Sequence, residues 1–202
     1  MPGKRNTGSE AVPVSTRRDE EIRSVTVGDI EFLNSTIHLA PYDSAWPSVY
    51  AQEAVRVREV LGEKALMLEH VGSTSVPGLC AKPVIDMLLA VENSADEGSY
   101  RPGLEAEGYV LRIREPDWYE HRCFKLGRVD GNLHVFSSGC REIDRMLLFR
   151  DWLRREESDR LLYERTKRKL AAKKWKVTQN YADAKSEIVE TILRRASQAL
   201  EG

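Results

Sequence analysis

The segment KPVIDMLLAV, Lys82–Val91, restricts the possible folds more than any other stretch of this chain. From Val84 onward it is apolar at successive positions, not alternate ones. Read as a strand, it is apolar on both faces, so it belongs in the middle of a sheet with cover on each side. One residue breaks the pattern. Asp86 sits among Val84, Ile85, Met87, Leu88 and Leu89, and burying an unpaired carboxylate is costly. It therefore needs a compensating partner: a salt bridge such as one to Lys82, a helix N-terminus, or a metal ion at the open end of the strand.

The rest of the chain supplies the layers such a strand needs. With 202 residues, 41% hydrophobic and 31% charged, one compact domain is expected. ALMLEHV reads as a strand before the central one. EGYVLRI, HRCFKLG and NLHVFSS read as three after it, and the Asp-Gly in RVDG marks a hairpin between the last two. A helix is expected from near Ala45 to Gly62, with Val49, Ala54, Val57, Val60 and Leu61 at helical spacing. Apolar stripes predict three further helices near 141–156, 158–174 and 179–198. The fold class is α+β: a mixed sheet with helices packed on it and a C-terminal helical layer. Residues 1–34 read as a disordered tail, or alternatively a docking arm, and residues 35–202 as the folded domain.

Upstream of the central strand, EHVGSTSVPGL combines features of an anion-binding turn. Gly72 lets the chain bend sharply with no side chain in the way. Ser73, Thr74 and Ser75 supply hydroxyls, and consecutive amides in such a bend can form a nest for phosphate. Lys82 can reach a phosphate as a point charge. Short Gly-Ser-Thr turns are common and most bind nothing, and the Gly-Lys-Ser ending of a P-loop is missing. His70 is either a phosphate contact or a satisfied structural histidine. His121, Arg122 and Lys125 can line the same cleft or sit at an ordinary strand end.

These residues resemble a known family. The run EHVGSTSVPGL..KPVID, with LHVF and LLFRDWLR downstream, looks like the GrpB family, a branch of the nucleotidyltransferase superfamily. The likeness spans roughly Ile37 to Ala184. It implies a Mg²⁺-dependent nucleotidyl- or phosphoryl-transferase that uses a nucleoside triphosphate, ATP by preference, on an acceptor the sequence does not identify. It also implies roles for matching residues: Gly72 and Ser73 hold phosphates, Asp86 matches one carboxylate of a metal-binding doublet, and His134 lies where a third carboxylate is expected. His134 can ligate a metal, act as a general base, or be a hydrogen-bonded strand histidine. The second position of the doublet is Leu88 or Val84, and neither can bind a metal. Glu69 and Glu142 are candidates for the missing ligand. The departure leaves a second implication open, a non-catalytic nucleotide-binding or protein-interaction module with a degenerate site.

Other features set bounds. The net charge of −1 argues against bulk coating of nucleic acid. No apolar run approaches a membrane span and the N-terminus lacks a secretory signal, so a cytoplasmic protein is expected. Cys80, Cys123 and Cys140 are far apart without CxxC spacing, which argues against zinc and for reduced thiols. Arg145, Arg150 and Asp151 read as structural, with a phosphate clamp by Arg150 as the alternative.

Overall fold

A computed structural model describes residues 19–201. Their sheet has five strands: β1 (Met67–Val71), β2 (Ile85–Val91), β3 (Val110–Glu115), β4 (His121–Lys125) and β5 (Gly131–Ser137). The spatial order is β1-β2-β5-β4-β3, with β2 and β5 parallel and all other neighbours antiparallel. The both-faced apolar strand β2 lies inside the sheet, as its composition requires. The turn ending in Asp130 and Gly131 joins β4 to β5.

The two faces of the sheet are covered by different helices. On one face, Met87, Leu89, Val91, Leu133 and Val135 pack with α2 (Trp46–Leu61) and α3 (Arg101–Ala106) through Ala54, Val57, Leu61 and Leu104. Pro47 in the first turn and Gly62 at the end, with φ +55°, set the limits of α2. On the other face, Val71, Leu88, Ala90 and Phe136 pack under Ile143 of α4 (Arg141–Arg155). The C-terminal layer continues with α5 (Glu157–Ala171), α6 (Thr178–Asp183) and α7 (Ser186–Glu201). The helix expected over 179–198 is thus two helices, with Ala184 capping α6 and Lys185 between them.

The N-terminal segment is a partial correction. Residues 1–18 of the expected tail lie outside the described residues. From Asp19 the chain is structured: α1 (Asp19–Val25) buries Ile22, Thr26 bridges Ile113 of β3, and Ser35 bridges Trp175. One well-placed apolar residue and backbone pairing hold a segment whose composition looks like a tail. Among the described residues no helix is long and apolar enough to cross a membrane.

Candidate functional site

The turn after β1 and the start of β2 meet at Gly72 and Asp86. Gly72 has φ +71°, and a Cβ there would lie 2.5 Å from Asp86 Oδ2. Glycine is needed here twice over, for the backbone angle and for the close approach of the carboxylate. The register Val71↔Asp86 brings the two strands to this point. Strand alternation then sends Asp86 to the face away from α2, at the edge of the patch that α4 covers.

Several strands contribute side chains to the same face. Asp86 pairs with Asn132 on β5, Leu88 with His134, His134 with Cys123 on β4, and His121 with Glu115 on β3. Asn132 donates to Asp86 Oδ1 at 2.7 Å, and His134 Nε2 lies 3.9 Å from the same oxygen. His121 Nδ1 is 2.7 Å from Glu115 Oε2, and its Nε2 is 3.1 Å from His134 Nδ1. A line of groups therefore runs Glu115–His121–His134–Asp86 across four strands. Burial works against charge on Asp86, but His134, Asn132 and Lys185 outweigh it and hold the carboxyl below its usual range. Burial of His121 lowers its pKa to about 4 even though Glu115 acts to raise it.

These residues form the floor of a cleft of about 520 Å³. Ser73, Lys82, Lys125, Lys167 and Lys185 also line it, as do Glu142 and the rim residue Trp118. Lys167 of α5 is buried and donates to Ser73 Oγ at 2.9 Å and to the Cys80 carbonyl. Burial lowers its pKa to about 7. Trp118 is 40% exposed, with its ring edge-on to His121.

The expected site residues divide into two groups. Gly72, Ser73, Lys82, Asp86 and His134 converge on this cleft or its edge, and His121 and Lys125 join them. Three others are spent inside the fold. His70 points to the opposite face, buried and stacked on Tyr50 of α2 at 4.7 Å, with its Nε2 3.1 Å from Thr74 Oγ1. It does not line the cleft, and burial lowers its pKa to about 4. Although Thr74 borders the cleft, its hydroxyl donates to the Val84 carbonyl. Ser75 Oγ donates to the Gly72 carbonyl at 2.6 Å. These bonds shape the turn; Ser73 is the one hydroxyl of the three that meets the cleft lysine.

The other arginine candidates are structural. Arg150 bonds Glu69 at 2.7 Å, the His70 carbonyl and Asp151, tying α4 to β1. Arg122 is buried against Glu97. Of the candidate extra ligands, Glu69 is held by Arg150, while Glu142 lines the cleft and pairs with Arg145 at 2.9 Å. Val84, just before β2, and Leu88 on β2 stand two positions either side of Asp86 and are apolar, so a two-Mg²⁺ centre built on several carboxylates does not fit these residues.

Comparison with known proteins settles the family. The GrpB protein family model matches residues 36–195. The chain belongs to the GrpB family. A UPF0157 protein of Halalkalibacterium halodurans is 61% identical over 181 residues, covering 90% of this chain and 93% of that protein. The crystal structure of conserved protein GrpB from Enterococcus faecalis aligns with a TM-score of 0.72 at 28% identity, covering 82% of this chain and all of that one. A dephospho-CoA kinase of Mycolicibacterium paratuberculosis is 28% identical over an alignment of 165 positions, covering 68% of this chain and 40% of the kinase.

Proposed function

We propose that the cleft binds a nucleoside triphosphate and that this GrpB protein transfers a nucleotidyl or phosphoryl group from it, within a nucleotidyltransferase-type fold. The observation that carries this reading is the convergence of the Gly72 turn and Asp86 on one cleft, with Lys82, Lys167 and Lys185 lining it. A concave site with an amide-rich bend and several ammonium groups suits a polyanion. Lys167 and Ser73 form one end of the phosphate site. Lys82, Lys125 and Lys185 neutralise the remaining charge. Trp118, exposed at the rim, offers a face on which a base can stack. A Mg²⁺ ion arriving with the triphosphate would have Asp86 as its protein carboxylate, with phosphate oxygens and water completing its shell. The similarity to part of a dephospho-CoA kinase supports a nucleotide-related role.

The apolar residues Val84 and Leu88 beside Asp86 favour a second reading, a module that binds the nucleotide without turning it over. Calorimetry with ATP and with inorganic triphosphate tests binding, and incubation with α- and γ-labelled ATP tests transfer. Both ligands are expected to bind, and Lys82→Ala and Lys167→Met to weaken them at least about tenfold, a loss of about 1.4 kcal/mol. Binding with no release or transfer of label would support the module. Failure of both ligands to bind at millimolar concentration would refute both readings.

A further inference from the structure

His121, Cys123 and His134 are brought together by the sheet alone. His121 and Cys123 alternate on β4 and so share a face, and His134 lies directly opposite Cys123 on β5. One donor atom from each residue, the two imidazole nitrogens and the Cys123 sulfur, lies within 4.8 Å of the others. The facing nitrogens, His121 Nε2 and His134 Nδ1, are 3.1 Å apart. Two ligands about 2.0–2.1 Å from one tetrahedral zinc are held at nearly this separation.

The outer nitrogens strengthen the case. His121 Nδ1 is 2.7 Å from Glu115 Oε2, and His134 Nε2 faces Asp86 Oδ1 at 3.9 Å. An imidazole that donates its outer N–H to a carboxylate presents a lone pair at its inner nitrogen, the arrangement in which histidines ligate metals. Here His121 has that arrangement through Glu115, while His134 Nε2 lies in ion-pair range of Asp86 but beyond hydrogen-bond distance. The two inner nitrogens share one proton at 3.1 Å, and a cation that displaced it would meet both lone pairs with the Cys123 sulfur close by. The exposed side of the cluster opens on the cleft, since all three residues line it.

We infer that His121, Cys123 and His134 form a three-residue site for a zinc-class divalent ion, with Glu115 and Asp86 orienting the two imidazoles. Two nitrogens and a sulfur are a donor set for Zn²⁺ or a neighbouring transition metal and a poor one for Mg²⁺. Three protein ligands with a fourth position open to the cleft are the pattern of a catalytic site, not of a closed structural one. The ion would sit in the same cleft as the proposed triphosphate site, where its open position faces water or a phosphate oxygen. The inference does not depend on nucleotide binding. Asp86 becomes a positioning residue for His134 in addition to any contact with substrate.

The test uses the full chain, stripped with chelator and titrated with cobalt(II) in the absence of nucleotide. One equivalent is expected to bind and give the visible bands of a tetrahedral ion together with a thiolate-to-cobalt charge-transfer band. That band should vanish in Cys123→Ser and persist in Cys140→Ser. Glu115→Gln should weaken zinc binding about 10- to 100-fold, the usual cost of losing an orienting carboxylate. Excess Mg²⁺ should leave the spectrum unchanged. No thiolate band in the unmodified chain would overturn the site without reference to any variant. So would a band that survives Cys123→Ser, or displacement of cobalt by Mg²⁺. Calorimetry of ATP with the metal-free chain reads the triphosphate proposal separately, so either can fail alone.

Discussion

At the scale of single residues, Gly72 is the most constrained position in the cleft. Its φ of +71° and the 2.5 Å approach of Asp86 Oδ2 both exclude a side chain. Gly72→Ala is expected to destabilise the fold by about 1–3 kcal/mol through strain and displacement of Asp86, measurable as a lower urea midpoint. His70 gives a prediction with a defined pH sign. Burial lowers its pKa from 6.5 to about 4, so between those values the unfolded chain binds a proton that the folded chain refuses. Its contribution to stability is present above pH 6.5 and is lost as pH falls toward 4. Urea titrations across that window should show a shallower decline for His70→Gln than for the unmodified chain. Gly72 and Asp86 were legible in the sequence because each breaks a local pattern: a glycine directly after a strand, a carboxylate inside an apolar run. The side chosen by His70 was not. Alternation shows that Glu69 and His70 face apart, but which one faces the cleft depends on α2 supplying Tyr50 as a stacking partner.

At the scale of elements, the C-terminal helices act on the turn. Arg154 of α4 donates twice to the Ser75 carbonyl, at 3.0 and 2.9 Å, and Lys167 of α5 reaches Ser73. Val76 and Leu79 just past the turn pack with Leu153, Tyr163 and Ile192 of the same layer. Arg154→Met should cost about 1 kcal/mol, the scale of a partly exposed charged hydrogen bond. It should also speed amide hydrogen exchange at Ser75 and Val76 while leaving the centre of α2 protected. Uniform protection in both proteins would show that the helices merely lie beside the turn. The strands and the Asp-Gly hairpin could be read from local periodicity. The assembly of Glu115, His121, Cys123 and His134 could not, because it depends on cross-strand register, and the wide spacing of the cysteines pointed away from a metal. Lys167 was hidden for a related reason: in the sequence it belongs to a basic helix that reads as solvated, and packing of α5 against the turn buries it.

At the scale of the whole molecule, the mixed sheet separates two tasks. The face under α2 and α3 is a continuous apolar core. The other face is apolar only where α4 covers it, and polar where β2, β5, β4 and β3 open on the cleft. Segment 19–40 also reaches the cleft, since Ile22, Thr26 and Glu31 border it. A short helix with one buried apolar residue carries too weak a pattern to distinguish it from a tail, which is why its role emerges only in the folded chain. The most direct measurement of the central claim is a crystal structure of the full chain with a non-hydrolysable ATP analogue and Mg²⁺. The expected result places the phosphates against Ser73 and Lys167, within reach of Lys82, and on the Asp86 side of the sheet. An analogue bound elsewhere on the protein, with the Gly72–Asp86 cleft left to solvent, would contradict it.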